Sequence, residues 1–324
     1  MVDFTLPLNT WRCGMKKICV IGATGHIGSY LCPYLDQAGY DVTGYSRGTQ
    51  KPYQVFDDEN RVHWVRANRE VAIDIALESG ADVICDLIPY TMEDAQYICD
   101  RILGNKKYIN TRLISVGSIW IYGNAGENKI DENAPRRATD EYGKNKALIE
   151  KYLLRECEER GLRVSIVHPG HICGKGWIPV GPQGNRSRRV LENIKKGNKI
   201  FLPDDGMATL HHVHSLDIAK LVLRLIENER SVGQSFNIVC KEPITLKDYA
   251  EMLYEHYGKK PNIEYMCYGD FLNTLENEEA IVSKEHIDRS PNISMEKAKK
   301  LLDFESVYTE KDALIESIDC LLCD

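Results

Sequence analysis

Tyr142 and Lys146 stand four residues apart in the stretch DEYGKNKALIEK. On a helix that spacing puts both side chains on one face, with their Cα atoms roughly 6 Å apart along the axis. A free tyrosine has a pKa of about 10, too high for a base at neutral pH. An ammonium close by favours the phenolate and lowers that value. The pair therefore describes one phenol able to give or take a proton beside an alcohol or a carbonyl. Ser118, in ISVGSIWIYG, is a candidate to hold the substrate oxygen.

Such a pair does chemistry only if elements upstream bring it a redox partner. Residues 18–21, ICVI, read as a short buried strand. GATGHIG follows, with Gly22, Thr24, Gly25, His26, Ile27 and Gly28, and then an amphipathic helix over 29–38. Strand, glycine turn and helix form the setting in which a backbone approaches a pyrophosphate. The helix N-terminus adds unpaired N–H groups and the positive end of its dipole. A second strand over 41–45 ends at Tyr45-Ser46-Arg47-Gly48. No carboxylate stands there to hold a ribose 2′-hydroxyl. Arg47 suits a 2′-phosphate instead, so NADP is favoured over NAD. Further strands are expected over 62–65, 81–87 and 112–116, with helices over 70–79 and 92–103. This alternation predicts an α/β fold, a Rossmann-type doubly wound parallel sheet. Ligands of such sheets sit at the carboxyl ends of the strands. Gly22, Arg47, Asn68, Leu87, Ile88 and Ser118 all fall at those ends, Asn68 where a side chain would contact adenine.

The chain has 324 residues, 43% of them hydrophobic and 27% charged, and a net charge of −7. That balance suits a globular protein with a sizeable core and argues against broad attraction to nucleic acid. Eleven scattered cysteines, with no apolar leader in the first residues, read as reduced thiols of a cytoplasmic protein. No apolar run is long enough to span a membrane. The CxxC at Cys320 and Cys323 lacks a second pair. On a strand His212 and His214 share a face while His211 points away, so three convergent ligands are missing and no metal is expected.

GATGHIG, SVGSIWIYG and YGKNK, with VSIVHPG, HSLDIA, SFNIV and SMEKAKKLLDF after them, resemble in order the extended short-chain dehydrogenase/reductase family, which includes the NAD-dependent epimerases and dehydratases. The resemblance covers most of the chain. It implies Tyr142 as acid/base, Lys146 as its partner and ribose ligand, and Ser118 as hydrogen-bonder to the substrate oxygen. It implies that Gly22, Gly25 and Gly28 bind pyrophosphate, and that Pro169 and Ile172 line the nicotinamide. A hydride would pass between nicotinamide and a substrate carbon of a sugar or sugar-nucleotide-like molecule, and members usually pair as homodimers. Two departures stand out. Asn68 replaces a frequent Asp. Ser118-Ile119-Trp120 carries no carboxylate where the 4,6-dehydratases have two, which favours a reductase, dehydrogenase or epimerase. The alternative is a non-catalytic dinucleotide sensor or nucleic-acid-associated relative.

The expected division is a dinucleotide domain over 15–174, joined again by 211–240. A substrate-binding cap takes 175–210 and 241–324, and 1–14 form an extension. Residues 171–189 read as a long loop over the ligand edge. Within it Trp177 either stacks on a substrate ring or packs. Arg186, with Arg188 and Arg189, either holds a substrate anion or starts a solvated helix. Trp120, two residues past Ser118, is placed near the substrate.

Overall fold

A computed structural model describes residues 15–53, 55–56, 60–124 and 129–323. The expected extension over 1–14 lies outside the described residues. The chain opens with β1 (Lys17–Ile21), α1 (His26–Gln37), β2 (Asp41–Ser46), β3 (His63–Arg66), α2 (Arg69–Glu78), β4 (Val83–Asp86), α3 (Met92–Leu103) and β5 (Arg112–Val116). A 3-10 turn over Ile119–Tyr122 leads to α4 (Glu141–Arg160), β6 (Val164–Pro169), β7 (His171–Cys173) and α5 (Arg188–Lys196). Then come β8 (Ile200–Pro203), β9 (Thr209–Leu210), β10 (His212–His214), α6 (Ser215–Glu227) and β11 (Gln234–Ile238). The chain ends through β12 (Ile244–Thr245), α7 (Leu246–His256), β13 (Ile263–Met266), α8 (Tyr268–Asn273), α9 (Asn277–Ile287), α10 (Glu296–Leu302) and α11 (Glu310–Leu322).

Seven strands form the central parallel sheet in the order β11-β6-β5-β4-β1-β2-β3. Ile18 pairs with Val42 on one side and Val83 on the other, so the strand order reverses at β1 and β4. That reversal opens a crevice at the carboxyl ends of the strands, where doubly wound sheets bind ligands. The strands are apolar because both faces are covered: all four residues of β4 and all five of β5 are buried.

Two compact units divide the chain. The first comprises the described residues up to Gly117, with Leu148–Val167 and Ile218–Ser235. Its core joins Ile21, Ile73, Ile84, Ile98, Leu113, Ile149, Leu153 and Ile166. Helix α3 is entered through a capping box: Thr91 accepts from Asp94 N, and Asp94 accepts back from Thr91 N. Losing such a cap costs about 1 kcal/mol. The second unit comprises Ser118–Ala147, His168–Asp217 and the described residues from Phe236 on. It adds three two-stranded pairs, β7 with β10, β9 with β12 and β8 with β13.

Several boundaries differ from the expected ones. Helix α1 starts at His26, directly on the glycine turn, because Gly25 serves as its N-cap. The loop expected over 171–189 begins with a strand: His171–Cys173 pairs in parallel with His212–His214 and is thereby fixed. Two further helices, α8 and α9, follow β13, and Cys320 of the CxxC lies in α11. Thr245 caps α7, accepting from Asp248 N at 2.9 Å.

Candidate active site

The first unit holds a cavity of about 420 Å³ lined by Gly22, Thr24, Gly25, Arg47, Thr49, Gln50, Arg69, Ile88 and Tyr90, among others. The turn between β1 and α1 explains two of its glycines. Gly22 has φ +83°, a conformation that side chains with a Cβ rarely adopt. A Cβ on Gly28 would lie 2.4 Å from the Ala23 carbonyl oxygen, so only glycine lets the helix seat this close to the turn. Gly25 caps α1 without a side-chain bond, and no acid stands in the first turn. The leading N–H groups and the positive end of the dipole therefore face no competing carboxylate. A backbone cradle, a bare helix start and an adjoining cavity fit a dinucleotide pyrophosphate. His26 and Ile27 open α1, and the His26 ring lies 5.6 Å from that of Tyr53. Leu87 N donates to Ile21 O, and Ile88 packs beneath Gly22.

Arg47 lies exposed at the end of β2 and lines this cavity. Its carbonyl accepts from Arg66 Nε at 3.0 Å, which places a second guanidinium on the same rim. Asn68 spends its side-chain oxygen on capping α2, accepting from Val71 N at 2.9 Å, while its neighbours Ala67 and Arg69 line the cavity.

Sequence reasoning missed three features here. Gln50 donates to Thr24 O at 2.7 Å and straps the glycine turn. Buried Asp86, at the end of β4, pairs with Arg69, which also reaches Asp94 Oδ1 at 3.3 Å. Desolvation opposes ionisation of Asp94, but bonds from Tyr90 N and Thr91 N, helped by Arg69, outweigh it and lower its pKa. The strand-end rule that flagged Ile88 would also have found Asp86. Nothing in the sequence marks Gln50.

The second unit holds the catalytic candidates. Tyr142 sits in the first turn of α4, 41% exposed, and Lys146 is 2% exposed one turn later. The Lys146 ammonium lies 5.6 Å from the centroid of the Tyr142 ring. Asp140 sets this turn, accepting from Gly143 N at 2.7 Å. The same carboxylate takes a 2.6 Å bond from Arg289 Nη2. Desolvation pushes the Asp140 pKa up, yet these bonds prevail and hold it below the usual carboxylate value.

Trp120 connects the pieces. Its ring meets Tyr142 edge-on at 5.6 Å and His286 at 5.3 Å, and the Arg289 guanidinium lies 3.6 Å from its centroid. Ser118 precedes it in the 3-10 turn. Ser118 Oγ accepts from Trp120 N at 3.2 Å, and Ser118 N donates to His168 Nδ1 at 3.1 Å. The Ser118 hydroxyl proton is thus directed elsewhere.

Pro169 closes β6, and Ile172 lies in β7. Buried Trp177 donates its indole N–H to Ile172 O at 3.2 Å. Arg186 is exposed, and its charge is felt at both His171 and His286. His211, His212 and His214 are fully buried, and among the described residues no group of three or more His, Cys, Asp or Glu is placed to hold a metal. The ten described cysteines are free. No described helix is long and apolar enough to cross a membrane.

A sheet that reverses at β1 and β4 and a glycine turn leading into α1 have the form of a dinucleotide-binding fold, and comparison with known proteins shows the family. Residues 18–239 match the NAD dependent epimerase/dehydratase family, and the chain belongs to it. It is 26% identical over 294 residues to UDP-D-apiose/UDP-D-xylose synthase 2 of Arabidopsis thaliana, covering 75% of each chain. It is 22% identical over 316 residues to the chloroplast stem-loop binding protein of 41 kDa b from the same plant, covering 93% of this chain and 78% of that one. Among solved structures, dTDP-glucose 4,6-dehydratase of Bacillus anthracis, in complex with NAD, superposes with a TM-score of 0.75 at 21% identity, covering 95% and 97% of the two chains. That likeness shows the fold. The family and these relatives support an enzyme of the extended short-chain dehydrogenase/reductase kind.

Proposed function

We propose that the protein is an NADP-preferring reductase or epimerase of a sugar nucleotide, acting at a hydroxyl or carbonyl carbon with Tyr142 as acid/base. The observation that carries this reading is the arrangement on α4: a buried Lys146 ammonium beside the Tyr142 ring, and an exposed phenol held edge-on to Trp120. Gly22, Thr24, Gly25, His26, Ile27 and Gly28 would hold the pyrophosphate. Arg47, beside Arg66, would hold a 2′-phosphate. When bound, NADP(H) supplies or accepts the hydride at the substrate carbon. Tyr142 Oη gives a proton to the carbonyl oxygen in reduction and takes it back from the hydroxyl in oxidation. Lys146 favours the phenolate by its charge. Ser118, already accepting from Trp120 N, donates its own proton to the same substrate oxygen. With no carboxylate at 118–120, water elimination lacks its acid and base there.

Sugar-nucleotide substrates are suggested by the relatives' own names and by the polar, cationic surroundings of Trp120. The alternative, a non-catalytic sensor or nucleic-acid-associated protein, is disfavoured by the net charge of −7 and by the presence of Ser118, Tyr142 and Lys146 together. A cytoplasmic homodimer remains the expected assembly, to be checked by sedimentation.

The deciding experiment is Tyr142→Phe with NADPH and a panel of keto-sugar nucleotides. Turnover should fall by roughly 10²–10⁴-fold, the usual contribution of a general acid. Cofactor affinity should change less than about threefold. Unchanged turnover would remove Tyr142 from the mechanism.

A further inference from the structure

His171 is 6% exposed, and neither ring nitrogen has a hydrogen-bond partner among the described residues. An unpaired buried polar group is costly, and nearly all such groups are satisfied by something. Its neighbours are rings that are already committed. His286 lies 5.0 Å away and holds Val282 O at 2.8 Å through Nδ1, so that nitrogen carries the proton. His212 lies 5.5 Å away and holds Val180 O at 2.9 Å through Nε2. His171 alone of the three keeps both nitrogens open.

The backbone that carries the ring is also fixed in place. β7 pairs with β10, and His171 N donates to His211 O at 2.9 Å. The segment carrying Arg186 is tied to α9 through Asn185 Nδ2 and Ser283 Oγ, 2.9 Å apart. Burial, then His286, His212, His211 and Arg186, push the His171 pKa well below its ordinary value. A neutral imidazole has one N–H and one bare nitrogen, so it asks for one acceptor and one donor. A hydroxyl-bearing ligand supplies both. Arg186, whose charge reaches His171, and Arg289, stacked on Trp120, repel cations and favour an anion.

We propose that His171 is a specificity-determining residue that hydrogen-bonds the hydroxyl groups of the substrate's sugar ring: it lies 5.0 Å from the His286 ring, which lies 5.3 Å from that of Trp120, which in turn meets Tyr142 at 5.6 Å. This rests on the sugar-nucleotide reading above and deepens it. A site built to bond a hydroxyl discriminates strongly against a ligand lacking it, because its own polar atoms are then left unpaired.

The test is calorimetric titration of the full chain with UDP-glucose and with UDP alone. His171→Phe keeps a ring and removes both nitrogens; His171→Gln restores one donor and one acceptor. Thermal unfolding of each variant checks folding. Wild type should prefer UDP-glucose over UDP. His171→Phe should cut that preference about tenfold, the worth of one or two neutral hydrogen bonds. His171→Gln should recover most of it, and UDP affinity should stay within about twofold throughout. Three outcomes overturn the inference alone: no preference in wild type, an unchanged preference in His171→Phe as expected if water satisfies the ring, or equal weakening of both ligands. Wild type that binds neither ligand while binding NADP overturns the sugar-nucleotide reading itself, and this inference with it.

Discussion

The glycine turn of the first unit and the ring cluster of the second do opposite things with the chain. The turn is local: residues 21–28 make it, and the backbone supplies its N–H groups. The cluster is assembled from 118–122, 140–146, 168–173 and 286–289, and side chains supply all its chemistry. A backbone site is nearly indifferent to side-chain identity except where a Cβ would intrude. A side-chain site depends on every member. Under the proposed function, cofactor recognition is therefore built from few letters, while substrate recognition is spread over many.

The contrast can be broken most sharply at Tyr142, where the phenylalanine variant should lose two to four orders of magnitude in turnover and leave the first unit's ligand in place. Acid offers the next largest effect. Burial lowers both His211 and His286 to about 4. The unfolded chain takes up those protons below its ordinary 6.5, whereas the folded chain refuses them until about 4. Stability is thus full above pH 6.5 and falls by a few kcal/mol as pH drops from 6.5 to 4. Guanidinium midpoints at several pH values should show this, and His286→Gln should flatten the slope.

Gly28→Ala probes the other region. The new Cβ meets backbone, which cannot swing aside, and overpacking of this kind costs about 1–3 kcal/mol. Thermal unfolding should register it, together with loss of the stabilisation that NADP gives the parent. Arg47→Ser should be milder still. NADP affinity should drop about tenfold with NAD affinity nearly constant, as suits one charge-assisted contact. Equal loss for both cofactors would separate Arg47 from the 2′-phosphate.

The same contrast explains what was legible in advance. The sheet, its order of strands and helices, and the glycine turn follow from apolar runs, punctuation and one motif, all short-range signals. Tyr142 and Lys146 were readable because a helix converts a spacing of four into proximity. Arg289 stacked on Trp120, or His171 between two other histidines, joins residues far apart in sequence through tertiary packing. No periodicity records such meetings. Asn68 illustrates a subtler limit: it stands at the expected strand end, yet its side-chain oxygen caps α2, because a helix start competes for the same group. Helices α9 and α11 escaped notice because charged residues interrupt their apolar faces and their burial is set by neighbours.

Asp140 holds the first turn of α4 with one oxygen and Arg289 with the other. A single carboxylate thereby links the first turn that carries Tyr142 to a residue contributed by the last fifth of the chain. Under the proposed function, drift in that late segment would retune the angle of the Tyr142 phenol while Ser118, Tyr142 and Lys146 stay unchanged, giving selection a remote adjusting screw.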